Sequence, residues 1–113
     1  MLIQWLRVNQ AGGSAATYLK KKGYETVAIY GMKELGELLL GELKKTDIFV
    51  PYAIDRDADS IFVPIDIYKP TDELKKVDAV IVTAIHYYED IQKAIRDKVN
   101  CPIISLEEIL FEA

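Results

Sequence analysis

The chain has 113 residues, of which 50% are hydrophobic and 28% are charged, the balance of one ordinary globular domain. Its single cysteine excludes an internal disulfide and a cysteine-based zinc site, and no apolar run approaches the roughly 18 residues of a membrane span. The net charge of −4 argues against nucleic acid as a partner. The first residues lack the features of a signal peptide, so we expect a cytoplasmic protein.

Two short helices are predicted ahead of the first strand. Apolar residues at helix spacing around Trp5 indicate one helix, and Ser14 is a suitable N-cap for a second helix, which Gly23 ends. We therefore expect a helical extension over residues 1–23 and an α/β domain over residues 24–113. The apolar face around Trp5 is a candidate surface for a homodimer or a partner domain, or else it packs on its own domain.

Short apolar runs that alternate with helical patterns follow. The predicted strands cover residues 26–30, 47–54, 62–68, 78–84 and 102–104. Continuously apolar strands between amphipathic helices indicate a parallel sheet with helices on both faces, and right-handed crossovers favour the strand order 3-2-1-4-5. The link from the second strand to the third is too short for a crossover helix, so the third strand is either a minor edge strand or antiparallel.

Helical patterns connect and follow these strands. Leucines at helix spacing predict a helix after the first strand, and Tyr88 begins a helical stripe after the fourth strand. One helical turn is predicted from Thr71 to Leu74. A capping box that begins at Ser105 opens a C-terminal helix.

The turn after the first strand carries the strongest functional signal. In a sheet of this order, ligands bind beyond the carboxyl ends of the first and fourth strands. The segment from Gly31 to Gly36 has the position and spacing of a dinucleotide-binding turn, with Lys33 in place of the second glycine. The stem of Lys33 would crowd a pyrophosphate, whereas its ammonium group would attract a phosphate. The helix start favours anions, and we expect the amides of residues 32–36 to face solvent.

Polar residues at the ends of other strands complete the predicted crevice. Asp55 follows Gly31 at close to the roughly 20-residue offset of the acid that holds a ribose hydroxyl, and Arg56 is placed to stack on a base or meet a phosphate. His86 lies after the fourth strand and is a possible general base without an identifiable partner. No Tyr-x-x-x-Lys pair follows, which disfavours a dehydrogenase or epimerase.

Several segments together resemble a known class of domain. They are Tyr30-Gly31, Glu34-Leu35-Gly36, Ile54-Asp55-Arg56, residues 78–83 and residues 101–106. Over about residues 24–112 the chain resembles the small Rossmann-like modules of bacterial surface-polysaccharide loci, which accompany glycosyltransferases and sugar-modifying enzymes. It is more distantly similar to the nucleotide-sugar-binding domain of sugar acyltransferases and to the core of nucleotide-sugar epimerases. The resemblance implies a three-layer Rossmann-like α/β/α fold.

By that resemblance Gly31, Met32 and Gly36 would line the phosphates, and Asp55 would hold the ribose. The full set of predicted binding residues is Gly31, Met32, Lys33, Glu34, Leu35, Gly36, Asp55, Arg56, Thr83, Ala84 and His86. The resemblance predicts a module that binds a nucleotide-sugar or NAD(P) and serves cell-surface polysaccharide biosynthesis. The alternative is a non-catalytic accessory domain whose dinucleotide pocket has decayed, with Lys33 as the mark of decay. No metal site and no catalytic residue are predicted.

Overall fold

The computed structural model describes residues 15–112, and the elements below all lie in that range. The strands are β1 (Val27–Tyr30), β2 (Tyr52–Ile54), β3 (Asp66–Tyr68), β4 (Ala79–Val82) and β5 (Ile103–Ser105). The helices are α1 (Ala15–Lys21), α2 (Glu34–Lys44), α3 (Tyr88–Ile95) and α4 (Leu106–Glu112). The predicted helix and dimer surface around Trp5, and the Ser14 cap, lie outside the described residues.

The five strands form one parallel sheet in the order β3-β2-β1-β4-β5. The predicted strand order is therefore confirmed, and β3 is a parallel strand at the edge of the sheet. A single 3₁₀ turn, Ala58–Ser60, stands between β2 and β3, where longer crossovers carry a helix. This topology, with helices on both faces, is a Rossmann-like α/β fold.

Alternate residues of the central strands supply two separate cores. Every residue of β1 and β4 is buried, because both strands have neighbours on each side and helices on each face. Val27 and Ile29 of β1 pack with residues of α1, α2 and α4. Ala28 and Tyr30 face the other way and pack with residues of α3, such as Ile95. The two faces follow from the period of two along a strand.

Helix α1 packs into the first of these cores. Its buried residues, among them Leu19, belong to the same cluster as Leu39 of α2 and Ile109 of α4. The helix ends at Gly23, whose φ of +81° suits glycine, and the amide of Tyr24 donates to the carbonyl of Leu19 at 2.9 Å. The predicted glycine stop is confirmed. None of the described helices is long and apolar enough to span a membrane.

The predicted helical turn from Thr71 to Leu74 is wrong. The amide of Lys69 donates to Oδ2 of Asp72, and the amide of Asp72 donates back to the carbonyl of Lys69. The Lys98 ammonium group donates to the carbonyls of Pro70 and Asp72. These bonds hold a turn in place of a helix. Strand β2 is also shorter than predicted, since Pro51 has no amide to donate to a ladder.

Candidate functional site

The loop from β1 to α2 turns sharply at Gly31. Its φ of +98° lies in the region that favours glycine, and its amide still donates to the carbonyl of Ile54 in β2 at 2.8 Å. Helix α2 then begins at Glu34, and the side chain of its N-cap residue, Lys33, makes no capping hydrogen bond. The first amides of a helix have no acceptor within the helix, and they lie at the positive end of the helix dipole.

Gly36 brings the start of α2 onto the turn itself. A Cβ atom at this position would stand 2.1 Å from the carbonyl oxygen of Gly31 and 3.1 Å from Sδ of Met32. Only glycine leaves room for this approach of the helix to the strand. In the dinucleotide-binding pattern the third glycine allows the helix to pack closely on the strand, and Gly36 has that role here.

Asp55 fastens this loop to the segment after β2. The residue is 6% exposed; Oδ2 accepts a hydrogen bond from the amide of Met32, and Oδ1 accepts one from the amide of Asp57, both at 2.8 Å. The Asp55 amide donates to the carbonyl of Tyr68 in β3. The expectation that the Met32 amide faces solvent is therefore wrong. Asp55 stands where the sequence predicts, and both of its oxygens are engaged by the main chain.

A cleft of about 570 Å³ opens between the start of α2 and the segment after β2, and we call it the β1–β2 cleft. Its lining residues are Met32, Lys33, Glu37, Asp57, Ser60, Ile61 and Phe62. Phe62 is 91% exposed, so an aromatic ring is free to contact a ligand there. With one lysine against two carboxylates, the lining carries a small negative charge.

Lys33 lies on the surface and reaches toward the β2 side of this cleft. Its Nζ is 3.3 Å from Oδ2 of Asp57, and both side chains are largely exposed. Met32, in contrast, is fully buried beneath the turn. The ammonium group of Lys33 is therefore available to a phosphate only in competition with Asp57. Such an exposed ion pair is weak, so a bound phosphate would displace it at little cost.

The end of β4 is tied to the turn by Thr83. This buried residue donates its hydroxyl to the carbonyl of Gly31 at 2.6 Å, and its amide donates to the carbonyl of Tyr30 at 3.0 Å. Ala84 follows and is half-buried. These hydrogen bonds join the carboxyl ends of β1 and β4 directly to each other.

His86 is exposed and belongs to a second cleft of about 390 Å³, on the β4–β5 side. That cleft is lined by His86, Tyr87, Tyr88, Glu89, Asp90, Ser105 and Glu107, and it shares no lining residue with the β1–β2 cleft. Three carboxylates make the second cleft unfavourable for phosphate.

Arg56 is exposed and is not among the residues that line the β1–β2 cleft. Its charge acts on Tyr30 instead. Burial raises the pKa of the Tyr30 hydroxyl, and this is the largest effect; the nearby Arg56 opposes it and Asp55 adds to it. Leu35 is half-buried and packs against the core with α2.

Sequence reasoning missed several residues of the β1–β2 cleft. Asp57, Ser60 and Phe62 lie in the stretch interpreted only as a polar loop and the start of a strand. The sequence did carry a signal for this cleft. Asp57 and Asp59 alternate with other residues after Asp55, and they are followed by Phe62, an aromatic residue that the short crossover leaves outside the core. Within residues 15–112, no group of three or more His, Cys, Asp or Glu could hold a metal ion.

The fold and this cleft define a Rossmann-like α/β module with a candidate ligand site at the carboxyl ends of β1 and β2. No protein-family model matches the chain, and no curated protein and no solved structure is significantly similar to it.

Proposed function

We propose that the chain is a nucleotide-binding module whose ligand, a nucleotide or a nucleotide-sugar, lies in the β1–β2 cleft. One observation carries the proposal: the uncapped start of the 11-residue helix α2 opens beside a cleft that also offers a lysine and an exposed aromatic ring. Helix starts of this kind bind phosphate through free amides and the helix dipole. The turn at Gly31 and the close packing at Gly36 support the same interpretation.

The phosphate and the base of a nucleotide each have a partner of suitable chemistry there. The phosphate lies over the first turn of α2, where Lys33 adds a positive charge once Asp57 is displaced from it. The base packs on the ring of Phe62 and the side chain of Ile61. The separate acidic cleft around His86 is not needed for this binding mode.

The wider role in cell-surface polysaccharide biosynthesis rests on the resemblance of the Gly31–Gly36 turn and the strand ends. A nucleotide-sugar is the ligand that this role would require, and NAD(P) is the other candidate cofactor. The proposal assigns no catalytic residue.

A non-catalytic accessory domain is the second candidate function, and a specific observation favours it. Both oxygens of Asp55 and the ammonium group of Lys33 already have partners inside the protein. In a pocket that no longer binds a ligand, these internal bonds would serve only to stabilise the fold. The two candidates differ in whether any nucleotide stabilises the fold.

Thermal unfolding with a panel of nucleotides separates the two candidates. The panel is ADP, UDP, UDP-glucose, NAD and NADP at millimolar concentration. A ligand at about a hundred times its Kd stabilises the folded state by about 2.7 kcal/mol. At roughly 4–8 °C per kcal/mol for a domain of this size, the Tm rises by about 10 °C or more.

Two matched variants locate the binding. Lys33→Ala removes the cleft lysine, and Lys69→Ala removes a lysine that forms a similar exposed ion pair with Asp59 outside the cleft. We expect the first variant to weaken the shift and the second to leave it unchanged. The absence of any shift across the panel would leave the accessory-domain function in place.

A further inference from the structure

We propose that Asp57, in place of Asp55, is the carboxylate that recognises the ribose hydroxyls of the nucleotide, and that Asp55 is its positioning residue. The inference rests on the proposed function and names the ligand class of that same cleft: a nucleotide with an unmodified ribose. The pattern of sequence spacing pointed to Asp55, and the contacts of the two residues reverse the assignment.

Asp55 has no open approach for a ligand. The residue is 6% exposed and is not among those that line the cleft. Each of its oxygens accepts one main-chain amide, from Met32 and from Asp57, at 2.8 Å. A ribose hydroxyl would have to enter the buried space that those amides fill.

Asp57 has the opposite properties. Its side chain is 60% exposed and lines the β1–β2 cleft beside Ser60. A carboxylate has about four acceptor positions, and the contact with Lys33 occupies one of them until a bound phosphate displaces it. The remaining positions suit two neighbouring hydroxyls, which are what a ribose presents.

The main chain of Asp57 is fixed on both sides. Its amide donates to Oδ1 of Asp55, and its carbonyl accepts from the amide of Ser60 at 2.9 Å, at the start of the 3₁₀ turn. Asp55 thus sets the position from which the Asp57 side chain enters the cleft. The side chain itself caps nothing, so its removal leaves the turn intact.

The charge of Asp57 also restricts the ligand. A phosphate on the ribose 2′ oxygen would meet this carboxylate and be repelled, so NADP is disfavoured against NAD. Lys33 offsets that repulsion only in part, because it is shared with the carboxylate and exposed to solvent.

Isothermal titration of paired nucleotides tests the assignment. ADP and UDP are each compared with their 2′-deoxy forms on the wild type, Asp57→Ala and Asp59→Ala. Asp59 is the matched control, because it is an exposed acid of the same segment whose ion pair with Lys69 lies outside the cleft. A hydrogen bond to a charged group predicts that the wild type and Asp59→Ala prefer the ribonucleotide by about tenfold or more. In Asp57→Ala we expect this preference to fall to within about threefold, with Tm near that of the wild type.

The possible failures are distinct. If the wild type binds none of the four nucleotides, this inference is overturned, and the proposed function is refuted with it when the thermal panel also gives no shift. If it binds them and Asp57→Ala keeps the ribose preference, the assignment of Asp57 is overturned while nucleotide binding stands. An equal affinity of the wild type for ribo- and deoxyribonucleotides would also overturn it.

Discussion

Substituting the two glycines of α2 should move stability in opposite directions. In Gly36→Ala the new methyl group would stand 2.1 Å from the carbonyl oxygen of Gly31, a backbone atom that cannot turn aside. Overpacking of this severity costs about 3 kcal/mol, which exceeds the gain in helix propensity. The net loss after the gain of about 0.8 kcal/mol in helix propensity is about 2 kcal/mol, so at roughly 4–8 °C per kcal/mol the Tm should fall by about 8 °C or more.

Gly41→Ala is the control within the same helix. Gly41 is exposed, and a Cβ atom there would meet nothing within 4 Å. The change gains the helix propensity of alanine, about 0.8 kcal/mol, and should raise the Tm by about 3–6 °C. Differential scanning calorimetry of both variants measures the two shifts. A Gly36→Ala protein that melts at or above the wild type would refute the packing of α2 against Gly31.

Changes at two further positions test bonds of the site, and a change at a third tests a carboxylate at the amino-terminal end of β4. Asp55→Ala should cost about 3 kcal/mol in urea unfolding, because two charged hydrogen bonds are lost and the Met32 amide is left buried; a cost below about 1 kcal/mol would contradict this. Thr83→Val should cost about 1 kcal/mol by removing the hydroxyl bond to Gly31, whereas Thr83→Ser, which keeps that bond, should cost less. The main-chain amides of Glu25 and Thr26 hold the pKa of Asp78 below its ordinary value, so its stabilisation is present above that ordinary value and is lost as the pH falls through the lowered pKa. The Asp78→Asn variant should therefore have a lower Tm than the wild type at neutral pH, and its Tm should fall less as the pH is lowered. Thermal unfolding across the acidic range measures this, and an equal fall of Tm in the variant and the wild type would contradict it.

The strand order of the sheet was predictable because it follows from the alternation of apolar strands with amphipathic helices along the chain. Residues 79–82 and 27–30 are continuously apolar, as strands buried on both faces must be, and helical stripes separate the strands. The turn at Thr71 was not predictable from its own residues. Lys98, far along the chain, supplies the donors that hold it, and only the folded structure brings the two segments together.

The candidate site was predictable in position and not in chemistry. The offset from Gly31 places an acid at the end of β2, and Asp55 is found there. Whether its carboxylate meets a ligand or main-chain amides depends on loop geometry that spacing does not encode. The neighbouring positions of β1 and β4 predict His86 in the same crevice, whereas in the structure it lines a cleft on the β4–β5 side.

The short crossover leaves β3 held on one side only, by β2. Its residues are half-buried or exposed, so its amides should exchange with solvent through local opening, long before those of β1 and β4, which require global unfolding. The opening does not stop at the edge, since the carbonyl of Tyr68 accepts the amide of Asp55. Each excursion of β3 therefore loosens the residue that positions Asp57, and a ligand in the cleft should slow hydrogen exchange along this distant edge of the sheet.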